Sequence, residues 1–152
     1  MTPLTRANVA ALAIPSALMA GALGSQYLGG LYPCEMCYWQ RWPHDAAIAL
    51  SILAFFLTPG PRRVLVLLAA LAILTSGLIG VFHAGVEYGL WQGLTTCATA
   101  TGPASLDSIL ATPMIRCDTA QWTLGGISLA GFNAIFSVSG ALLVLMLLRR
   151  AR

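Results

Sequence analysis

Lysine is absent from this chain, and charge of either sign is scarce: arginines and acids together make up only 9% of 152 residues. Soluble domains carry about 25% charged residues, so that deficit argues against a water-exposed globule. A hydrophobic content of 58% and a mean hydropathy of +0.80 point instead to a membrane protein. Strand-period alternation is also missing, which argues against a membrane β-barrel. No G-x-G-x-x-G occurs, so a flavin or nicotinamide site of that type has no support. The net charge of +3 comes from arginine alone. The arginines stand singly or in twos and threes beside apolar runs, which is the flank pattern of membrane helices and not the basic patch of a nucleic-acid binder.

Four runs are long enough to cross a bilayer, at about 7–28, 37–57, 64–82 and 124–148, against the ~20 residues a spanning helix needs. The expected fold is an all-α membrane protein, a single integral domain over 1–152 built as a four-transmembrane-helix bundle. Its one sizeable loop, about 83–122, is expected to carry a short interfacial helix. There Ser105 can cap a turn with Leu106, Ile109 and Leu110 on one face, ended by Pro113. Arg6, Arg62, Arg63, Arg149, Arg150 and Arg152 fall on one side of such a bundle, and only Arg41 and Arg116 on the other. Both termini are then cytoplasmic, and all four cysteines lie on the opposite, oxidising side, the periplasm of a bacterium. The first run, with Arg6 and the small residues Ala20, Gly21 and Ala22, also resembles a cleavable signal peptide, but it is long for one.

The chain is organised around Cys34-Glu35-Met36-Cys37, with Arg41 four residues further on. In a helix Cys37 and Arg41 share one face, a turn apart. A helix N-terminus and a guanidinium both favour a thiolate, so the pair reads as a redox dithiol. Static disulfides are the main alternative, although C-x-x-C closes too short a loop to be a useful staple. Haem attachment needs a histidine where Tyr38 stands. A zinc site needs four neighbouring ligands, and Cys97 and Cys117 form no second knuckle, so no metal is expected. Cys97 and Cys117, in the outer loop, suit exchange with another protein. Two dithiols in series make a relay, and a relay needs a terminal acceptor. For a reactive thiol at the membrane interface a lipid-soluble quinone fits, with Trp39 and Trp42 as candidate walls. His44 and Asp45 read as a local pair near the interface, and Asn133 as an interhelical hydrogen-bonding residue.

Four spans, inner termini, Pro33-Cys34-x-x-Cys37 before the second span, Arg41, and Cys97 and Cys117 between the third and fourth spans together resemble the disulfide-bond formation protein B family, DsbB. The resemblance covers nearly the whole chain. It implies a thiol–quinone oxidoreductase of the bacterial inner membrane that reoxidises a periplasmic DsbA-like dithiol oxidase. By that resemblance the partner attacks a Cys97–Cys117 disulfide and is held at Cys97; Cys117 exchanges with Cys34; and Cys37 donates to ubiquinone or menaquinone beside Arg41. His83 resembles the family's quinone-side histidine in position, with an ordinary interfacial histidine as the alternative. Vitamin K epoxide reductase shares this logic, but there the C-x-x-C usually lies late in the chain. A non-enzymatic scaffold with static disulfides is the remaining alternative.

Overall fold

A computed structural model describes residues 1–94 and 115–151. Cys97 and the expected helix at 105–110 lie outside the described residues. Among the described residues, four long helices form a bundle: α1 (Pro3–Tyr27), α2 (Glu35–Phe55), α3 (Pro59–Glu87) and, after a two-stranded hairpin, α4 (Leu129–Arg149). Three of them, α1, α3 and α4, are long and apolar enough to cross a membrane. Helix α2, with 21 residues, has the length, since 1.5 Å per residue gives about 31 Å. Glu35, Arg41 and Asp45 in its first half lower its hydropathy.

The helix ends follow local chemistry. Thr2 caps α1, accepting from the Thr5 amide at 3.2 Å, and Pro59 opens α3 at a position where its missing N–H costs nothing. Arg62 reaches back to the C-terminus of α2, donating to the carbonyls of Ala54 at 2.9 Å and Phe55 at 3.0 Å. There a cation meets orphan carbonyls and the negative helix end, a role beyond the topology signal expected of the arginine pair.

Two boundaries differ from expectation. Helix α3 runs on to Glu87, so His83 lies inside a helix and not at its exit. The last helix starts at Leu129, because residues 123–128 form a hairpin, β1 (Thr123–Leu124) against β2 (Ile127–Ser128). Gly125 and Gly126, at φ of 59° and 81°, make the two-residue turn that needs positive φ at both positions. The hairpin is tied to α3: Tyr88 donates to the Gly126 carbonyl and accepts from the Ser128 amide. Ser128 both caps α4, accepting from Gly131 at 3.1 Å, and donates to Glu87.

Small residues set the helix spacing. The core is built of Ala7, Ala11, Ala47, Ala54, Ala69, Ala70 and Ala141 with Val66, Ile73, Val144 and Leu148, the composition that lets membrane helices approach closely. A Cβ on Gly80 of α3 would sit 3.0 Å from the Ala134 amide nitrogen and 3.1 Å from the Ala130 carbonyl of α4. Backbone cannot swing aside, so Gly80→Ala is expected to cost ~1–3 kcal/mol by overpacking. Thermal unfolding in detergent measures it; an unchanged midpoint would show that the α3–α4 contact is looser than this.

Candidate functional site

The dithiol sits where α2 begins. Cys34 is the N-cap, with an extended backbone, and its Sγ accepts from the Cys37 amide at 3.3 Å. The two sulfurs lie 2.9 Å apart. Cys34 is buried. The hydrogen bond to Cys37 and then burial push the Cys34 thiol up from its ordinary range. Cys37 occupies the first turn of the helix, where the dipole and free amides favour an anion.

Cys117 is buried beside this pair, in one cluster with Cys34, Met36 and Val86, against which Cys37, Trp39, Phe82 and Ile115 pack. Two hydrogen bonds clamp its segment in place: Tyr32 donates its amide to Gln121 Oε1 at 3.1 Å, and Gln121 Nε2 donates to the Tyr32 carbonyl at 2.6 Å. Nothing in the sequence pattern marked Gln121, because its partner is a backbone 89 residues away. Arg116 and Asp118 form an exposed bidentate pair on the same segment at 2.9 and 2.5 Å. Arg116 holds the Asp118 carboxyl down to about 2, from an ordinary 3.8. The folded pKa is the lower one, so this pair's contribution is present above the ordinary carboxylate value and is lost as pH falls through about 2. An NMR titration of Asp118 is expected to show this midpoint, moving up towards 3.8 in Arg116→Gln; an unmoved midpoint would remove Arg116 as the cause.

His83 joins the dithiol from α3. Its Nε2 lies 3.6 Å from Cys34 Sγ and 3.8 Å from Glu87 Oε1. Cys34, Cys37 and His83 bring three ligand-type atoms within 4.8 Å of one another, a set able to hold a thiophilic cation as well as to exchange thiols. Sequence spacing missed this set because the third donor comes from another helix.

Two cavities meet at this point. The outer one, about 60 Å³, is lined by Tyr32, Cys34, Cys37, Arg41, His83 and Glu87, among others. The larger one, about 390 Å³, opens between α1, α2 and α4; Cys37, Gln40, Arg41, His44 and Asn133 line it with a mostly apolar remainder. Cys37 and Arg41 border both, whereas Cys34 and His83 border only the outer one. Trp122, Phe132 and Phe136 are the aromatic walls of the larger cavity. Trp39 packs in the cysteine cluster and Trp42 is exposed, so neither expected wall lines it. Arg41 reaches across to α1, donating to Gln26 Oε1 at 2.6 Å and the Ala22 carbonyl at 3.0 Å, with its guanidinium 5.5 Å from the Tyr38 ring centroid.

A bundle of apolar helices with a cysteine pair at the start of one of them defines a multi-pass membrane protein with a dithiol centre. The profile of the family described as disulfide bond formation protein DsbB matches residues 5–147. The chain belongs to the DsbB family, membrane proteins of disulfide bond formation, and carries that family's general disulfide oxidoreductase character. It is also similar to an uncharacterized protein, RP370, of Rickettsia prowazekii (strain Madrid E), with 22% identity over 138 residues, 86% of this chain and 80% of the relative. No solved structure matches.

Proposed function

We propose that this protein is the thiol–quinone oxidoreductase of a bacterial inner membrane, with α2 as its fourth span, both termini cytoplasmic and the cysteines periplasmic. It reoxidises a soluble DsbA-like dithiol oxidase and passes the electrons to a membrane quinone. The observation that carries the reading is the position of Cys37. Its side chain borders both the small outer cavity around Cys34 and the large apolar one between α1, α2 and α4, so one dithiol faces a protein-side and a lipid-side compartment.

The residues fit a quinone. A cavity of about 390 Å³ is in the ordinary range for small-molecule sites. It is flanked by Trp122, Phe132 and Phe136 and borders one thiol, one guanidinium and one imidazole. When bound there, a quinone supplies a two-electron acceptor. The chain's own residues do the rest. Cys97 takes the partner as a mixed disulfide, and Cys117, buried against Cys34, carries the exchange inward by thiolate attack. His83 Nδ1 accepts from Gln40 Nε2 at 2.8 Å, so its Nε2 carries the hydrogen, which the Cys117 backbone carbonyl accepts, with Cys34 Sγ 3.6 Å from the same nitrogen. Arg41 holds positive charge at the cavity mouth, anchored on α1 so that it does not collapse onto the sulfur.

The test is turnover of the purified full chain in detergent: a reduced thioredoxin-like dithiol partner is oxidised while quinone absorbance falls in step. Oxidation of the partner with no loss of quinone would end the quinone assignment. Cysteines that stay bridged in the presence of the reduced partner would end the enzymatic one.

A further inference from the structure

Five polar side chains run from the dithiol into the bundle: Cys34, His83, Gln40, Asn133 and His44. Two backbone carbonyls, which can only accept, set the direction of the bonds between them. The Met36 carbonyl takes one hydrogen of Gln40 Nε2 at 3.0 Å, so the other goes to His83 Nδ1 and Gln40 Oε1 accepts from Asn133 Nδ2 at 2.8 Å. The Ser76 carbonyl accepts from Asn133 Nδ2 at 3.2 Å, so Asn133 turns Oδ1 towards His44 Nε2, 2.9 Å away. Ser76 Oγ has its hydrogen committed to the Gln40 carbonyl at 2.7 Å, and it also lies 2.9 Å from His44 Nε2. Both neighbours therefore accept, and His44 Nε2 carries hydrogen.

The ring can then gain or lose a proton only at Nδ1. That atom is buried and has no hydrogen-bond partner among the described residues, in a side chain 3% exposed on the wall of the larger cavity. A buried polar atom left unpaired costs ~1–3 kcal/mol, which a ligand hydrogen bond would offset. The sequence suggests a satisfied pair with Asp45; the ring is instead held at Nε2, and Nδ1 is buried without a partner among the described residues.

We propose that His44 Nδ1 is the atom that holds a proton for one ring oxygen of the quinone. This rests on the quinone reading above. Formation of the Cys34–Cys37 bond releases two electrons and the Cys34 thiol proton. A quinone bound in the larger cavity would accept both electrons with one proton from His44 Nδ1 and one from water, the latter balancing the Cys34 proton released at the outer cavity. Cys37 leaves the exchange as a thiolate, so His44 is reloaded with a proton given up by the partner's dithiol, and the net change is dithiol plus quinone to disulfide plus quinol. The titratable and charged neighbours are Cys37, Arg41 and Asp45 on α2 and His83 on α3; α1 and α4 bring no titratable side chain to the described cavity wall.

The test uses the full chain in lipid nanodiscs with ¹⁵N-labelled histidine. Without quinone, His44 is expected to show a hydrogen-bearing Nε2 and a bare Nδ1 when neutral. Saturating decylubiquinone is expected to move the Nδ1 resonance and leave Nε2 in place. His44→Gln keeps an amide donor for Asn133 but has no titrating nitrogen. It is expected to slow decylubiquinone reduction ~100-fold while thiol exchange with the reduced partner runs at the native rate. If that variant does not fold, the native-chain spectra decide alone. An Nδ1 resonance unmoved by saturating decylubiquinone, in protein that reduces it, overturns the proposal, as does His44→Gln working at the native rate. A native chain that reduces no quinone at all removes the parent reading and this one with it, a result distinct from either.

Discussion

Cys37→Ser and Cys34→Ser are each expected to lower quinone-coupled turnover by at least ~10³-fold, the scale of losing an essential nucleophile, but they should stop at different intermediates. Cys34 shares the buried cluster with Cys117 and borders only the outer cavity; Cys37 borders both. With Cys37→Ser, the Cys34 thiol can still attack the Cys97–Cys117 disulfide at Cys117 and expel Cys97, so a Cys34–Cys117 bridge with a free Cys97 should form before any partner is added. With Cys34→Ser that bridge cannot form, and the partner should stay trapped at Cys97. Mass mapping of non-reduced peptides distinguishes the two. A Cys37–Cys117 bridge forming as readily in Cys34→Ser as Cys34–Cys117 does in Cys37→Ser would erase the division of labour between the sulfurs.

Arg41→Ala is expected to raise the quinone KM ~10–100-fold, taking a hydrogen bond to a charged donor as ~1.5–3 kcal/mol, with partner oxidation through Cys97 and Cys117 unaffected at saturating quinone. Arg41 also ties α2 to α1 through Gln26 and the Ala22 carbonyl, so lost packing could mimic lost binding. Gln26→Leu separates the two: it removes the side-chain tie and keeps the guanidinium at the cavity mouth. A KM raised equally in Gln26→Leu would assign the effect to helix placement. Equal loss of quinone use and partner exchange in Arg41→Ala would count against the assigned role.

Much of the site was legible because its chemistry is local. Cys34, Cys37 and Arg41 fall within eight consecutive residues, and helical periodicity alone puts Cys37 and Arg41 on one face. Cys117 and His83 were legible as candidates but not as neighbours: Cys34 and His83 are 49 residues apart in sequence. Trp39 and Trp42 show the limit of composition. Aromatic residues near an interface are expected for several reasons, and helix rotation sends Trp39 into the cysteine cluster and Trp42 outward. The cavity takes Trp122 from the hairpin side, with Phe132 and Phe136 from α4.

The amino-acid sequence by itself determined the medium, the helices and the reactive pair, because hydropathy, capping and C-x-x-C spacing act over one or two helical turns. Tertiary structure decided which sulfur borders which cavity, which histidine meets which cavity, and how Gln40 and Asn133 orient both rings. Those outcomes depend on the rotation of each helix about its axis and on partners dozens of residues away. Periodicity gives a face, and only packing against the other three helices says what that face looks at.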